Sequence, residues 1–253
     1  MHLLAAKPGG FVDDEGIVDL GQTPADIVVL AAADSVLGAL GNALDQLTLN
    51  QTNEGISTES FPSVRLANWM QLVKPAAYDL YEHKVLDHAK VVVVSLLGGE
   101  HYWSYGFQQL QIWVKAKPNR ILILVPGDDT PDPALMQTST CSMEDAHRVW
   151  RYLRESGQGN SEQFFHFLAA QYFDVATKWL EPAPLPSALI YHNGKASSLI
   201  EWQSHYAVFL ANKPVALVVF YRSHLQSGNT SMFDDLLAIV EQEGLVPLAI
   251  AVS

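Results

Sequence analysis

The sequence alternates short apolar runs with longer amphipathic stretches, and this alternation constrains the fold more than any other feature. Three mostly apolar runs of strand length cover residues 27–33, 90–97 and 120–125. The stretches that follow place apolar residues at helical spacing, at 35–47, 78–89 and 102–117. Strands that are apolar on both faces are typical of parallel sheets covered by helices. The sequence therefore predicts an α/β fold with parallel sheets flanked by helices.

A proline-rich connector, with Pro182, Pro184 and Pro186, predicts a division into two lobes near residue 185. The first lobe, 1–185, also has helices at 142–155 and from 160 to about 179. Ser142 and Asn160 are the expected N-caps of these helices. The second lobe, 186–253, has strands at 188–192, 214–221 and 245–252 and a helix near 232–240. Because such a unit buries little surface alone, we expect it to begin a second α/β domain of a longer protein.

Charge and composition exclude several classes of partner. The 253 residues include 27 acidic and 15 basic side chains, a net charge of −12. Nucleic acids and anionic lipids are bound mainly by Lys and Arg, so neither partner is expected. No apolar run approaches the roughly 18 residues that span a bilayer. A single cysteine, Cys141, permits no internal disulfide and fits a cytoplasmic protein.

The common nucleotide and metal motifs are incomplete in this chain. The Gly-Lys pair at 194–195 would need glycine at position 189 and Ser or Thr at 196, but leucine and alanine stand there. No ATP site is therefore predicted. His83 and His88 are five residues apart, about 140° around a helix, so they cannot share one ion. Cys141 has no neighbouring base, and we predict no catalytic role for it.

Three loops that follow predicted strands carry the most useful chemistry, because open α/β sheets bind ligands at the carboxyl ends of strands. Loop 98–106, GGEHYWSYG, combines two glycines with aromatic rings that could stack on a flat ligand or pack under the sheet. Loop 127–133, GDDTPDP, could hold a hard divalent cation or start a helix through Asx turns. Loop 221–230, YRSHLQSGNT, precedes a helix and suits a carboxylate or amide ligand, or is a structural loop.

Five stretches resemble the large-subunit family of aerobic cobaltochelatase, the CobN family, in the family's own order. They are residues 1–34, 63–72, 79–106, 124–133 and 220–230. The opening stretch and the pattern LLGGxxYWxYG at 96–106 are specific to this family. The pattern YRSHLxSGN at 221–229 also resembles the related magnesium-chelatase large subunit. The polar loop predicted at 48–60 and the region 157–205 carry no such motif.

The resemblance implies ATP-dependent insertion of Co²⁺ into hydrogenobyrinic acid a,c-diamide, with Co²⁺ as a substrate. In that system the large subunit holds the tetrapyrrole and cobalt. Two smaller partner subunits, one of them an AAA+ ATPase, hydrolyse ATP. The family's large subunit is several times longer than this chain. The resemblance therefore implies an N-terminal portion that is inactive alone.

Loop position and side-chain chemistry give the candidate site residues for this reaction. His224 is the candidate catalytic base or transient cobalt contact. Arg222 and Asn229 are candidates to bind carboxylate or amide groups of the macrocycle, and arginine offers a planar fork of donors. Tyr102 and Trp103 could stack on the macrocycle or pack the domain. The metal ligands are not assigned.

Two alternatives stay open at this stage. The first is a relative of the magnesium-chelatase large subunit, which would bind protoporphyrin. The second is a non-catalytic docking module for the partner subunits, which fits an acidic surface without a strong site motif.

Overall fold

The computed structural model describes residues 11–12, 17–53 and 61–253, which form two compact units, Met1–Ala183 and Pro184–Ser253. Parts of the opening family stretch, residues 1–10 and 13–16, lie outside the described residues. So does part of the predicted loop, residues 54–60. Across the described ranges, no helix is both long enough and apolar enough to cross a bilayer.

The first unit is built on a parallel sheet with helices on both faces. Its strands are β1 (Phe11–Val12), β2 (Val18–Asp19), β3 (Ile27–Ala31), β4 (Val64–Asn68), β5 (Val91–Leu96) and β6 (Ile121–Pro126). Its helices are α1 (Asp34–Asn53), α2 (Pro75–Lys84), α3 (Ser104–Lys115), α4 (Pro133–Met136), α5 (Met143–Glu155) and α6 (Gly157–Phe173). The main sheet has the order β4-β3-β5-β6, and all its pairs are parallel. Strands β1 and β2 form a separate antiparallel pair.

The main sheet of the first unit is buried on both faces, as the apolar runs predict. Val92 and Val94 of β5 pack with side chains of α2 and α3. Val91 and Val93 of the same strand pack with α1, α5 and α6 on the opposite face. Every residue of β3 and β5 is buried. The predicted α/β class is therefore confirmed.

The boundaries of two helices differ from the predictions. Helix α1 continues to Asn53, through the first part of the predicted loop 48–60. Helix α6 begins at Gly157, so the predicted N-cap at Asn160 is wrong. The Asn160 amide instead donates to the Ser156 and Ala183 carbonyl oxygens at 3.0 and 2.9 Å. Helix α6 ends at Phe173, where Asp174 takes a left-handed conformation, and not near 179.

The second unit contains a mixed sheet, whereas the sequence predicts a parallel one. Its elements are β7 (Ala188–His192), β8 (Lys195–Ser197), α7 (Leu199–Tyr206), β9 (Val215–Tyr221), α8 (Arg222–Gln226), α9 (Ser231–Gln242) and β10 (Val246–Val252). The strand order is β8-β7-β10-β9. Only β9 and β10 are parallel, while β7 runs antiparallel to both β8 and β10. Asn193 and Gly194 have positive φ and form the tight turn between β7 and β8.

Strand β9 lies at the edge of this sheet and exposes one of its faces. Leu217 is 60% exposed and Phe220 is 6% exposed. The Phe220 ring stacks on Phe233 of α9 at 4.1 Å between ring centroids. The expectation that a strand so apolar is buried on both faces is therefore wrong for β9.

This difference predicts unequal costs for two truncations in one strand. Phe220→Ala should lower the stability of the second unit by about 3–5 kcal/mol because it leaves a cavity beside Phe233. Leu217→Ala should change that stability by less than about 1 kcal/mol because its side chain is mostly solvated. Hydrogen exchange of the β10 amides measures both changes. Equal losses of protection would show that β9 is covered on both faces.

Candidate functional site

The carboxyl edge of the main sheet contains a topological switch point between β3 and β5, where open α/β sheets bind ligands. Asn68, at the end of β4, donates to the Ala32 carbonyl and the Asp34 carboxylate, both at 3.1 Å. These polar groups join the ends of β3 and β4. No sequence motif singles out Asp34 or Asn68, although each stands at the carboxyl end of an apolar run.

Loop 98–106 follows β5 at this edge and depends on two glycines. Gly98 and Gly99 have φ values of 79° and 78°, which favour glycine. A Cβ atom at Gly98 would lie 2.5 Å from Tyr102 Cδ2. The Tyr102 ring therefore rests on the backbone of Gly98. The two glycines thus allow both the turn and the close approach of the aromatic ring.

The structure separates the two aromatic candidates of this loop. Tyr102 is 73% exposed, whereas Trp103 is 2% exposed. Trp103 stacks on Trp69 with ring centroids 5.3 Å apart and donates its indole N–H to the Leu72 carbonyl at 3.1 Å. Trp103 is thus a core side chain. Its position supports the predicted role in packing and does not support stacking on the macrocycle. Tyr102 presents its ring to solvent.

Two of the three carboxylates of loop 127–133 serve local structure, and the third, that of Asp129, lies 3.6 Å from Arg154 Nε. Asp128 accepts from the Thr130 N–H at 3.0 Å, and Asp132 caps α4 by accepting from the Leu135 N–H at 3.0 Å. A cavity of about 280 Å³ lies beside them. The described part of the chain contains no group of three or more His, Cys, Asp or Glu side chains that could hold a metal ion. The Asx-turn interpretation is therefore favoured over the cation site.

The environment of Cys141 predicts a poorly reactive thiol. Burial raises the pKa of this thiol to about 11, and the Asp145 carboxylate adds to the rise. The thiolate is the nucleophile, so alkylation of the folded chain at pH 8 should be roughly 100-fold slower than that of the urea-unfolded chain. Labelling with iodoacetamide followed by mass spectrometry measures both rates. Equal rates would contradict the buried position.

The loop after β9 holds the other three candidates in one short segment. Arg222 Nη1 donates to the Leu185 and Pro186 carbonyl oxygens at 3.1 and 2.8 Å, and the buried Arg222 Nε makes no hydrogen bond. The His224 ring packs against Phe233 with centroids 5.1 Å apart. Asn229 is exposed, and its backbone N–H donates to the His224 carbonyl at 2.9 Å.

This segment leads directly into helix α9. Thr230 precedes the helix and provides no side-chain cap to it. Uncapped N–H groups at a helix N-terminus favour anions and carbonyl oxygens. The exposed Asn229 lies two residues before this helix, whereas the Arg222 guanidinium donates to the Leu185 and Pro186 carbonyl oxygens. The helix start and the Asn229 amide can bind carboxylate or amide groups.

Comparison with known proteins gives a consistent family. A sequence profile of the CobN/Magnesium Chelatase family matches residues 150–253. Aerobic cobaltochelatase subunit CobN from Pseudomonas aeruginosa is 41% identical over 254 residues and is matched along 100% of this chain. Subunit CobN from a Sinorhizobium species is 35% identical over 260 residues, again along 100% of this chain.

A solved structure adds evidence for the fold. The catalytic subunit of cobaltochelatase from Mycobacterium tuberculosis superposes with a TM-score of 0.61 over 90% of this chain and 16% of that chain, at 21% identity. The chain spans about a fifth of the length of both curated relatives, 19% in each case. The chain belongs to the CobN/magnesium chelatase family.

Proposed function

We propose that the chain acts as the N-terminal part of a cobaltochelatase large subunit, which binds hydrogenobyrinic acid a,c-diamide and Co²⁺ as substrates. The observation that carries this proposal is 41% identity to a CobN subunit along the entire chain. The loops at 98–106 and 221–230, which carry the family patterns, present Tyr102 and a donor-rich helix start to solvent. Metal insertion is an activity of the longer subunit, so the chain alone should not insert cobalt.

The proposed reaction needs ATP, which two smaller partner subunits would hydrolyse, one of them an AAA+ ATPase. The incomplete Gly-Lys motif at 194–195 is consistent with this division of work. The proposed location is the cytoplasm. The acidic character of the chain, with a net charge of −12, gives no support to a nucleic-acid partner.

Insertion requires the macrocycle to lose two pyrrolic protons while the hydrated cation loses water. His224 is the proposed base, because an imidazole is the side chain that most often acts as a general base. The Arg222 guanidinium and the Asn229 amide would hold peripheral carboxylate or amide groups of the macrocycle. Tyr102 would stack its exposed ring on a flat part of the ligand. Trp103 supports this loop from the core.

Two observations favour alternatives that the same experiment separates. The matching family profile also covers magnesium chelatases, which suggests protoporphyrin as the ligand. The exposed apolar face of β9 suggests a docking module for partner subunits. We would titrate the chain with hydrogenobyrinic acid a,c-diamide and, separately, with protoporphyrin, following macrocycle absorbance.

The proposal predicts tighter binding of the cobalt substrate's macrocycle. Tighter binding of protoporphyrin would favour the magnesium-chelatase relative. Capture of the purified ATPase partner without binding of either macrocycle would favour the docking module. Either of these results would overturn the proposed function of the chain.

A further inference from the structure

Two histidines of the second unit meet around one tyrosine. His192 ends strand β7 and His205 lies in helix α7, with their ring centroids 4.6 Å apart at an angle of 61°. The ring of Tyr206 lies 5.6 Å from His192 and 4.6 Å from His205. The imidazoles come from different elements, and the fold holds them together.

A carboxylate lies beside the same tyrosine. The Tyr206 O–H donates a hydrogen bond to the Glu241 carboxylate of α9. A cavity of about 340 Å³ is lined by His192, Tyr206 and Glu241, among others. A second cavity, of about 220 Å³, is lined by His205 together with the same tyrosine and glutamate. Glu241 therefore lines both cavities, the first with His192 and the second with His205 and Lys213.

The side chains of the cluster are of the types that bind metal ions. The two imidazoles have ring centroids 4.6 Å apart, and the Glu241 carboxylate is joined by a hydrogen bond to the tyrosine that contacts both rings. Imidazole and carboxylate together suit divalent transition metals such as Co²⁺.

We propose that His192 and His205 form a binding site for a divalent transition metal, with Glu241 as a third ligand once its hydrogen bond to Tyr206 opens. The described residues contain no group of three His, Cys, Asp or Glu side chains placed to hold an ion, so the site as it stands offers two imidazole ligands. The choice of Co²⁺ rests on the proposed function, whereas the binding itself depends only on these residues.

Calorimetric titration of the whole chain with Co²⁺ alone tests the site, with visible absorbance as a second readout of cobalt ligation. His192→Ala and His205→Ala should each raise the Kd by at least about tenfold. Tyr206→Phe should lower the Kd, by roughly two- to tenfold, because it releases Glu241 from one hydrogen bond. His147→Ala removes an exposed imidazole that packs on a tryptophan, and it should leave the Kd unchanged.

Tyr206→Phe should lower the Kd for Co²⁺, whereas the histidine variants should raise it. Because these effects have opposite signs, the test stays decisive even if one variant is unstable. Absence of saturable Co²⁺ binding, or a Kd that His192→Ala and His147→Ala change equally, would overturn the proposal. Macrocycle titration of His192→Ala separates this site from the proposed function. If the macrocycle binds to neither wild type nor variant, the proposed function fails while the Co²⁺ result stands.

Discussion

Trp103→Ala should lower the free energy of unfolding of the first unit by about 3–5 kcal/mol, the usual cost of removing a buried tryptophan. The ring stacks on Trp69, meets the edge of Tyr78 and donates a hydrogen bond to a buried carbonyl. Urea denaturation followed by far-ultraviolet circular dichroism, together with hydrogen exchange of the β5 amides, measures this loss.

The neighbouring Tyr102→Ala is the matched control. Its ring is mostly exposed, so the change in stability should stay within about 0.5 kcal/mol. If the two variants lost equal stability, the orientation of loop 98–106 would be wrong. The proposed division of roles, with Trp103 in the core and Tyr102 toward the ligand, would then fail with it.

Gly106→Ala should destabilise the first unit by about 1–3 kcal/mol, the usual range for overpacking a core. A Cβ atom at this position would lie 2.1 Å from Trp103 Cε2, and the surrounding aromatic rings leave the indole little room to move. The cost therefore comes from displacing Trp103. The same denaturation experiment measures it.

Gly41→Ala, in helix α1, should have the opposite effect on stability. A Cβ atom at Gly41 would meet nothing within 4 Å, so alanine should stabilise α1 by roughly 0.5–1 kcal/mol.

A further check is the double variant Trp103→Ala with Gly106→Ala, whose cost in stability should be less than the sum of the two single costs. Additive costs would show that the Gly106 site does not act through the indole.

The sequence predicts the strands of the first unit well because burial on both faces produces unbroken apolar runs. Apolar runs predict the strands of the second unit, and their burial, less well. Strand β9 is equally apolar, yet it exposes one face. Strand β8 consists of Lys195, Ala196 and Ser197 and carries no apolar signal. The position of Asn160 within α6 depends on hydrogen bonds to Ala183, which no local capping pattern reveals.

In the candidate sites, too, the sequence predicts features that depend on neighbouring residues better than contacts between distant residues. Gly98 and Gly99 predict a turn, and the structure contains that turn. Tyr102 is exposed and Trp103 is buried because consecutive residues of a helical turn point in different directions. The bonds from Arg222 to the connector, and the contact between His192 and His205, join residues far apart along the chain. Only the tertiary fold reveals such pairs.

The most direct test of the account is a titration of the 253-residue chain with hydrogenobyrinic acid a,c-diamide, followed by macrocycle absorbance and tryptophan fluorescence. Two variants with exposed side chains, Tyr102→Ala and Asn229→Ala, should fold normally and weaken binding by about tenfold or more. Ile112→Ala, an exposed apolar control in α3, should bind like the wild type. The account predicts saturable binding with this order of affinities. No binding by the folded chain, or equal binding by all variants, would contradict it.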